Sequence, residues 1–203
     1  MGQPSNNLAS LIGSRICHDL ISPIGAIQNG IELLDLSGAV KGPEMMLIAD
    51  SVGNAGARIR FFRIAFGAST DQALGRSEMT TVLEDMGRNA RIKVRWEPAH
   101  DLTRAEVRLA FLAILCFETA MPYGGTVRVS HDGKGWTITG AAEKLSVNDA
   151  LWDALPTRPD DPSPGPAEVT PAQVQFLLLP LTAQEQGKTI AVTRTDTDIT
   201  LTV

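Results

Sequence analysis

A chain of 203 residues with 43% hydrophobic and 20% charged residues is long enough to bury a core and fits one or two globular domains. A formal net charge of -5 with no Lys/Arg cluster argues against a nucleic-acid surface and points to protein partners. No apolar run approaches the ~20 residues of a membrane span, and Met1 to Ser10 lacks the basic-then-apolar order of a secretion signal, so a cytoplasmic protein free of the membrane is expected. Cys17 and Cys116 both fall in apolar helical patterns and read as buried thiols.

The first predicted element is a long helix over residues 5 to 36. Its apolar stripe runs through Cys17, Leu20, Ile24, Ile27, Ile31 and Leu34 in alternating steps of three and four. His18 stands off that stripe, in line with Ser14, Ser22, Gly25 and Asn29, a strip of small and polar residues open to another molecule. Pro23 removes one backbone hydrogen bond and bends the helix locally. Ser37, Gly38, Gly42 and Pro43 then mark a reversal. A second helix over 43 to 66 repeats the spacing with Met45, Ile48, Val52, Ala55, Ile59, Phe62 and Phe66, which makes an antiparallel hairpin. The two seams are too wide for a hairpin to cover alone, so a homodimer with a four-helix bundle across a two-fold axis is expected. Residues whose numbers sum to roughly 80 should lie at one height in such a hairpin. His18 then faces the stretch carrying Arg58, Arg60 and Arg63, whose guanidinium forks suit phosphate oxygens.

Beyond a loop-like stretch at 67 to 75 the pattern turns mixed. Ser77 is placed to cap a helix over Glu78 to Arg88, and Ile92 to Trp96 alternates as a strand. Thr103 with Glu106 three residues on has capping-box spacing for a helix running to Met121. Strands at Thr126 to Ser130 and Trp136 to Gly140 flank the turn Asp132-Gly133-Lys134-Gly135. A short helix near Val147 to Leu155, a Pro-rich mobile loop at Pro156 to Pro171, a helix from Pro171 to Gln186 and a hairpin of Thr189 to Thr193 with Asp198 to Val203 complete the order. That order is an α+β sandwich with helices on one face of a sheet. His100 and His131 lie at a strand end and a turn without metal-ligand spacing and read as surface loop residues. No nucleophile-elbow glycines surround a serine, so neither a zinc enzyme nor a Ser-His-Asp hydrolase is supported.

The run His18-Asp19-Leu20-Ile21-Ser22-Pro23 in a helical hairpin ahead of this sandwich resembles the phosphoacceptor motif of two-component histidine kinases. The second part departs from them in three places. Leu112 to Glu118 carries no asparagine to hold a nucleotide-bound magnesium. The strand ending at Gly140 runs into Ala141-Ala142-Glu143-Lys144 rather than an Asp-x-Gly-x-Gly turn. A Pro-rich stretch followed by Pro171-Ala172-Gln173-Val174-Gln175 replaces the Gly-rich phosphate cradle. An intact hairpin motif with an eroded nucleotide site is similar to the ChpT-type histidine phosphotransferases of alphaproteobacteria.

That resemblance implies an N-terminal hairpin domain for dimerisation and phosphotransfer (1 to 70) and a degenerate kinase-like ATP-binding domain (71 to 203). It implies a shuttle: phosphoryl passes from a receiver-domain aspartate of a hybrid histidine kinase to His18, and then to the aspartates of response regulators. Asp19 is the candidate to orient the ring or take its proton, and no ATP-dependent kinase activity is expected. Ser22, Gly25, Ala26 and Asn29 are expected to form the receiver-docking strip, with help from Arg60 and Arg63. Magnesium would arrive with the receiver's own acidic pocket, since no acidic cluster lies near His18, and no cofactor or metal is expected to bind stably here. Two rival readings use the same face. In one, Asp19 and Ser22 position a water as in an aspartyl-phosphate phosphatase; in the other, the chain is a pseudokinase scaffold for response regulators.

Overall fold

The computed structural model describes residues 13, 20–22, 24–34, 36, 38, 42–68, 70–88, 90–156 and 169–203. Residues 20–22 and 24–34 are helical and belong to α1, and α2 spans Pro43–Ala65 with Pro43 in its first turn, where a missing N–H costs nothing. Gly38 takes φ 65° in the reversal between them, a left-handed conformation that a side chain would strain. The hairpin is antiparallel with the expected register. A Cβ on Gly13 would lie 3.2 Å from the Phe66 carbonyl oxygen, and one on Gly56 would lie 3.5 Å from Ile24 Cγ2.

The face of α2 that is buried differs from the predicted seam. Gly56, Ala57, Phe61, Ile64 and Ala65 are buried, and Phe61, Ile64 and Ala65 join the core of the α/β part, with the Phe61 ring stacked on Phe111 at 4.5 Å. The predicted heptad seam lies on a neighbouring face and stays half-covered. Leu20, Ile27, Leu34 and Ile48 remain 46%, 49%, 41% and 48% exposed.

The α/β part begins with β1 (Ala73–Leu74), α3 (Arg76–Gly87), β2 (Ile92–Trp96), β3 (Leu102–Thr103) and α4 (Arg104–Ala120). It continues with β4 (Gly125–His131), β5 (Trp136–Ala141), α5 (Asp149–Trp152), a 3-10 turn at Pro171–Gln173, α6 (Gln175–Glu185), β6 (Ala191–Arg194) and β7 (Asp198–Thr202). Five strands form one sheet in the order β2-β4-β5-β7-β6. Only β2 and β4 are parallel, and α4 is the crossover that a parallel pair requires. The other pairs are antiparallel. This is the expected α+β sandwich. The core is continuous from Phe61 through α4 to Trp136, Ile199 and Leu201 on the sheet.

Two expectations are corrected. Ser77 does not cap α3: Gly75 precedes the helix, which starts at Arg76, and the Ser77 carbonyl instead accepts the Thr80 and Thr81 hydroxyls. The cause is the β1–β3 ladder, absent from the sequence reading, which pairs Leu74 with Leu102 and releases the chain into the helix at once. The predicted helix from Pro171 to Gln186 opens as a 3-10 turn, with Thr170 and Gln173 as a capping box, before α6 begins at Gln175. Residues 157–168 of the predicted Pro-rich loop lie outside the described residues. Among the described residues no helix is long and apolar enough to cross a membrane.

Candidate functional site

His18 and Asp19 lie outside the described residues; the strip beside them in sequence does not. Ser22, Ala26 and Asn29 are exposed on α1, and a Cβ added to Gly25 would meet nothing within 4 Å. Small side chains therefore leave the backbone of this helix open to close approach.

Across the hairpin the three arginines are in different situations. The exposed Arg58 guanidinium sits 5.9 Å from the Phe62 ring centroid, a cation–π contact. Arg60 turns toward α3, where Nη2 donates to Asp85 Oδ2 at 2.8 Å, while Arg88 Nη2 lies 3.1 Å from the other Asp85 oxygen. Arg63 is exposed and lines, with Arg60, Ser77, Glu78 and Thr81, a cavity of about 300 Å³. A larger cavity of about 400 Å³ lies between α1, α2 and α3, lined by Gln28, Asp50, Asn54, Arg60, Asp85 and Arg88. The sequence reading missed Asp85, whose partner Arg60 is 25 residues away and on another element.

In the second part α4 packs directly on the sheet. A Cβ on Gly140 would come within 2.4 Å of Phe117 Cδ1 and 3.1 Å of Met121 Sδ. Phe117 meets Trp152 edge-on at 5.4 Å, and Trp152 meets Phe176 at 5.6 Å, all three fully buried. Phe117, within the stretch that lacks the kinase asparagine, is thus part of the packed core. Glu118, one residue on, is half-buried beside a cavity of about 300 Å³ that it shares with Arg58, Arg91, Ile92 and Pro122. Burial pushes its carboxyl above the usual range, and the Arg58 charge pulls the other way.

Cys116 is buried as expected, and burial pushes its thiol well up, which keeps it protonated and inert. Cys17 lies outside the described residues. His131 is not the surface loop residue expected. It ends β4 opposite Trp136, its ring 4.6 Å from that indole and 5.5 Å from the His100 ring. Its Nδ1 accepts the Gly133 N–H, while His131 Nε2 and Trp136 Nε1 are buried without hydrogen-bond partners. Burial lowers the affinity of that ring for a proton. Among the described residues no three His, Cys, Asp or Glu side chains converge as metal ligands.

An open small-residue strip on a helical hairpin, joined to a mixed-sheet sandwich, is the architecture of a phosphotransfer protein of the two-component class. Comparison with known proteins narrows the class. The histidine phosphotransferase C-terminal domain matches residues 76–198. The protein phosphotransferase ChpT of Brucella abortus (strain 2308) is 35% identical over 204 residues, spanning 95% of this chain and 93% of that protein. A solved structure of a bacterial phosphotransferase superposes with a TM-score of 0.66 at 31% identity, covering 100% of this chain and 97% of its own. The chain belongs to the ChpT-type histidine phosphotransferase family and is a phosphotransferase of phosphorelay signalling.

Proposed function

We propose that His18 is the phosphoacceptor of a relay that takes phosphoryl from the receiver-domain aspartate of a hybrid histidine kinase and delivers it to response-regulator aspartates. The observation that carries this reading is the likeness over nearly the whole chain to a protein phosphotransferase, joined to the His18-Asp19-Leu20-Ile21-Ser22-Pro23 run ahead of the sandwich. The missing asparagine, Asp-x-Gly-x-Gly turn and Gly-rich cradle of a kinase support a protein without ATP-dependent kinase activity. Two functional units are proposed, a phosphotransfer hairpin over 1 to 70 and a degenerate ATP-binding unit over 71 to 203.

In the forward step the neutral imidazole lone pair of His18 attacks the phosphorus of the aspartyl phosphate in line. The phosphorus–oxygen bond to the receiver carboxyl breaks and a carboxylate leaves. The proton on the other ring nitrogen is held or taken by Asp19, so the phosphorylated ring need not carry a full positive charge. The reverse sequence delivers phosphoryl to the next receiver. Catalysis rests on positioning and on charge stabilisation around a loose transition state. The divalent metal belongs to the receiver's acidic pocket, and no cofactor is assigned to this chain. Ser22, Gly25, Ala26 and Asn29 form the docking strip, where the absence of bulk lets a receiver helix lie close. The sequence places His18 between Gly13 and Ile24, whose counterparts on α2 are Phe66 and Gly56, and that stretch of α2 carries Arg58, Arg60 and Arg63. Arg63 is the exposed guanidinium for the receiver; Arg60 acts through its bond to Asp85, shaping the cavity wall.

The working form is a cytoplasmic homodimer, which the half-exposed seam of Leu20, Ile27, Leu34 and Ile48 supports. The test is phosphotransfer from a radiolabelled phosphorylated receiver to the wild type, His18→Ala and Asp19→Ala, with ATP alone as a control. Acid-labile, alkali-stable label is expected on the wild type, none on His18→Ala, and none from ATP. Loss of receiver phosphate without label on the wild type would instead identify a phosphatase, and label that stays on the receiver a scaffold.

A further inference from the structure

The last carbonyls of a helix have no partners within it. At the end of α2 they find them on α4. Arg104 Nη2 donates to the Arg63 carbonyl at 2.7 Å, and Arg108 Nε donates to the Ala65 carbonyl at 3.2 Å. Arg108 is 6% exposed, and a guanidinium that deep is retained at a desolvation cost. The first turn of α4 also grips the segment that joins α2 to α3. The Arg104 N–H donates to the Gln72 carbonyl at 2.8 Å and the Ala105 N–H to the Thr70 carbonyl at 3.2 Å. The β1–β3 ladder continues the same stitching, and the Arg60–Asp85 bond ties α2 to α3 on the other side.

We propose that Arg104 and Arg108 are positioning residues for phosphoryl transfer, fastening the hairpin to the α/β part at one angle so that a receiver meets both as a single preformed surface. This rests on the phosphotransfer reading above. Apolar packing of Phe61 and Ile64 holds the parts together but is non-directional and tolerates rotation; hydrogen bonds to carbonyls are directional and do not. A histidine fed by a separate protein needs no swing of the α/β part toward it. A fixed angle then lowers the ordering cost of docking.

The test reads the angle and the transfer separately in the full chain. Spin labels at Ser51→Cys on α2 and Thr193→Cys on β6, both exposed, are placed in a Cys17→Ser background and diluted into unlabelled chain. A single narrow distance is expected in the parent and a broad distribution in Arg104→Met/Arg108→Met. Without labels, the double variant should show a KM for the phosphorylated receiver raised about tenfold or more, the scale of one charge-assisted hydrogen bond, with kcat unchanged. Arg108→Lys, which keeps a donor, should recover most of both. Should the double variant fail to fold by near-ultraviolet circular dichroism, Arg104→Met alone must move both readouts in the same direction. A broad distribution in the parent, a narrow one in the folded variant, or a fall in kcat at constant KM overturns the proposal. If the parent accepts phosphoryl from no receiver, the phosphotransfer reading fails while the distances still decide whether the two arginines set the angle.

Discussion

Glu118 and Asp85 show what single residues acquire only in the fold. Asp85 reads in sequence as one acid on a polar helix face, yet it holds Arg60 at 2.8 Å and Arg88 at 3.1 Å and so fixes one wall of the hairpin cavity. Glu118 closes the Leu112 to Glu118 stretch, which carries no asparagine where the resembling kinases have one. Half-buried, it has a folded-state pKa raised by burial, with Arg58 only partly offsetting. An acid whose pKa is higher folded than unfolded binds more protons in the folded state, so its ionisation destabilises the fold as pH rises through that window. Glu118→Gln should therefore raise the melting temperature at neutral pH. The gain should shrink toward zero as pH falls below the ordinary glutamate range, where both forms are neutral; thermal melts at several pH values measure this. A gain that persists at low pH would mean the effect is not ionisation. Spacing predicted the solvent access of the Ser22, Gly25, Ala26 and Asn29 strip because a helix face is a local property. It could not show that Arg60 turns to α3, since nothing local in α2 distinguishes Arg60 from Arg63.

Elements built from local signals matched their predictions most closely. The capping box of α4 is present as the spacing required: the Thr103 hydroxyl oxygen accepts the Glu106 N–H at 3.2 Å, and a Glu106 carboxylate oxygen accepts the Thr103 N–H at 2.8 Å. Thr103→Ala removes one half of that exchange and should cost about 1 kcal/mol, typical for a lost N-cap. Chemical denaturation should show it as a lower midpoint at unchanged slope, and a change in slope would point instead to a rearranged α4. The Asp132 turn is equally local, its carboxylate accepting the N–H groups of Lys134 and Gly135 at 2.8 and 2.9 Å. α3 went astray at its start for the opposite reason, because the β1–β3 pairing that sets it joins residues far apart in the chain. His131 became half-buried through a register that pairs it with Trp136 across the hairpin, although the turn itself was legible.

At the scale of the molecule, α2 serves two surfaces. Phe61, Ile64 and Ala65 complete the α/β core, and the neighbouring heptad seam stays half-exposed, the face on which the proposed second copy would pack. Ile27→Asp with Ile48→Asp places charges in that seam and should convert a dimer into a monomer in sedimentation, while the near-ultraviolet signal of the buried Trp136 and Trp152 stays intact. A wild type that sediments as a monomer would remove the bundle from the proposal. The sequence by itself determined the hairpin, the α+β order, the Thr103–Glu106 cap, the Asp132 turn and the motif around His18, because each is written in residues a few positions apart. Tertiary structure alone decided which face of α2 joins the core, where Arg60, Arg104 and Arg108 place their hydrogen bonds, and that Phe117, Trp152 and Phe176 pack edge to face in one core. Those outcomes depend on contacts between residues far apart in the chain, and helical or strand periodicity carries no information about which distant partner a side chain will meet.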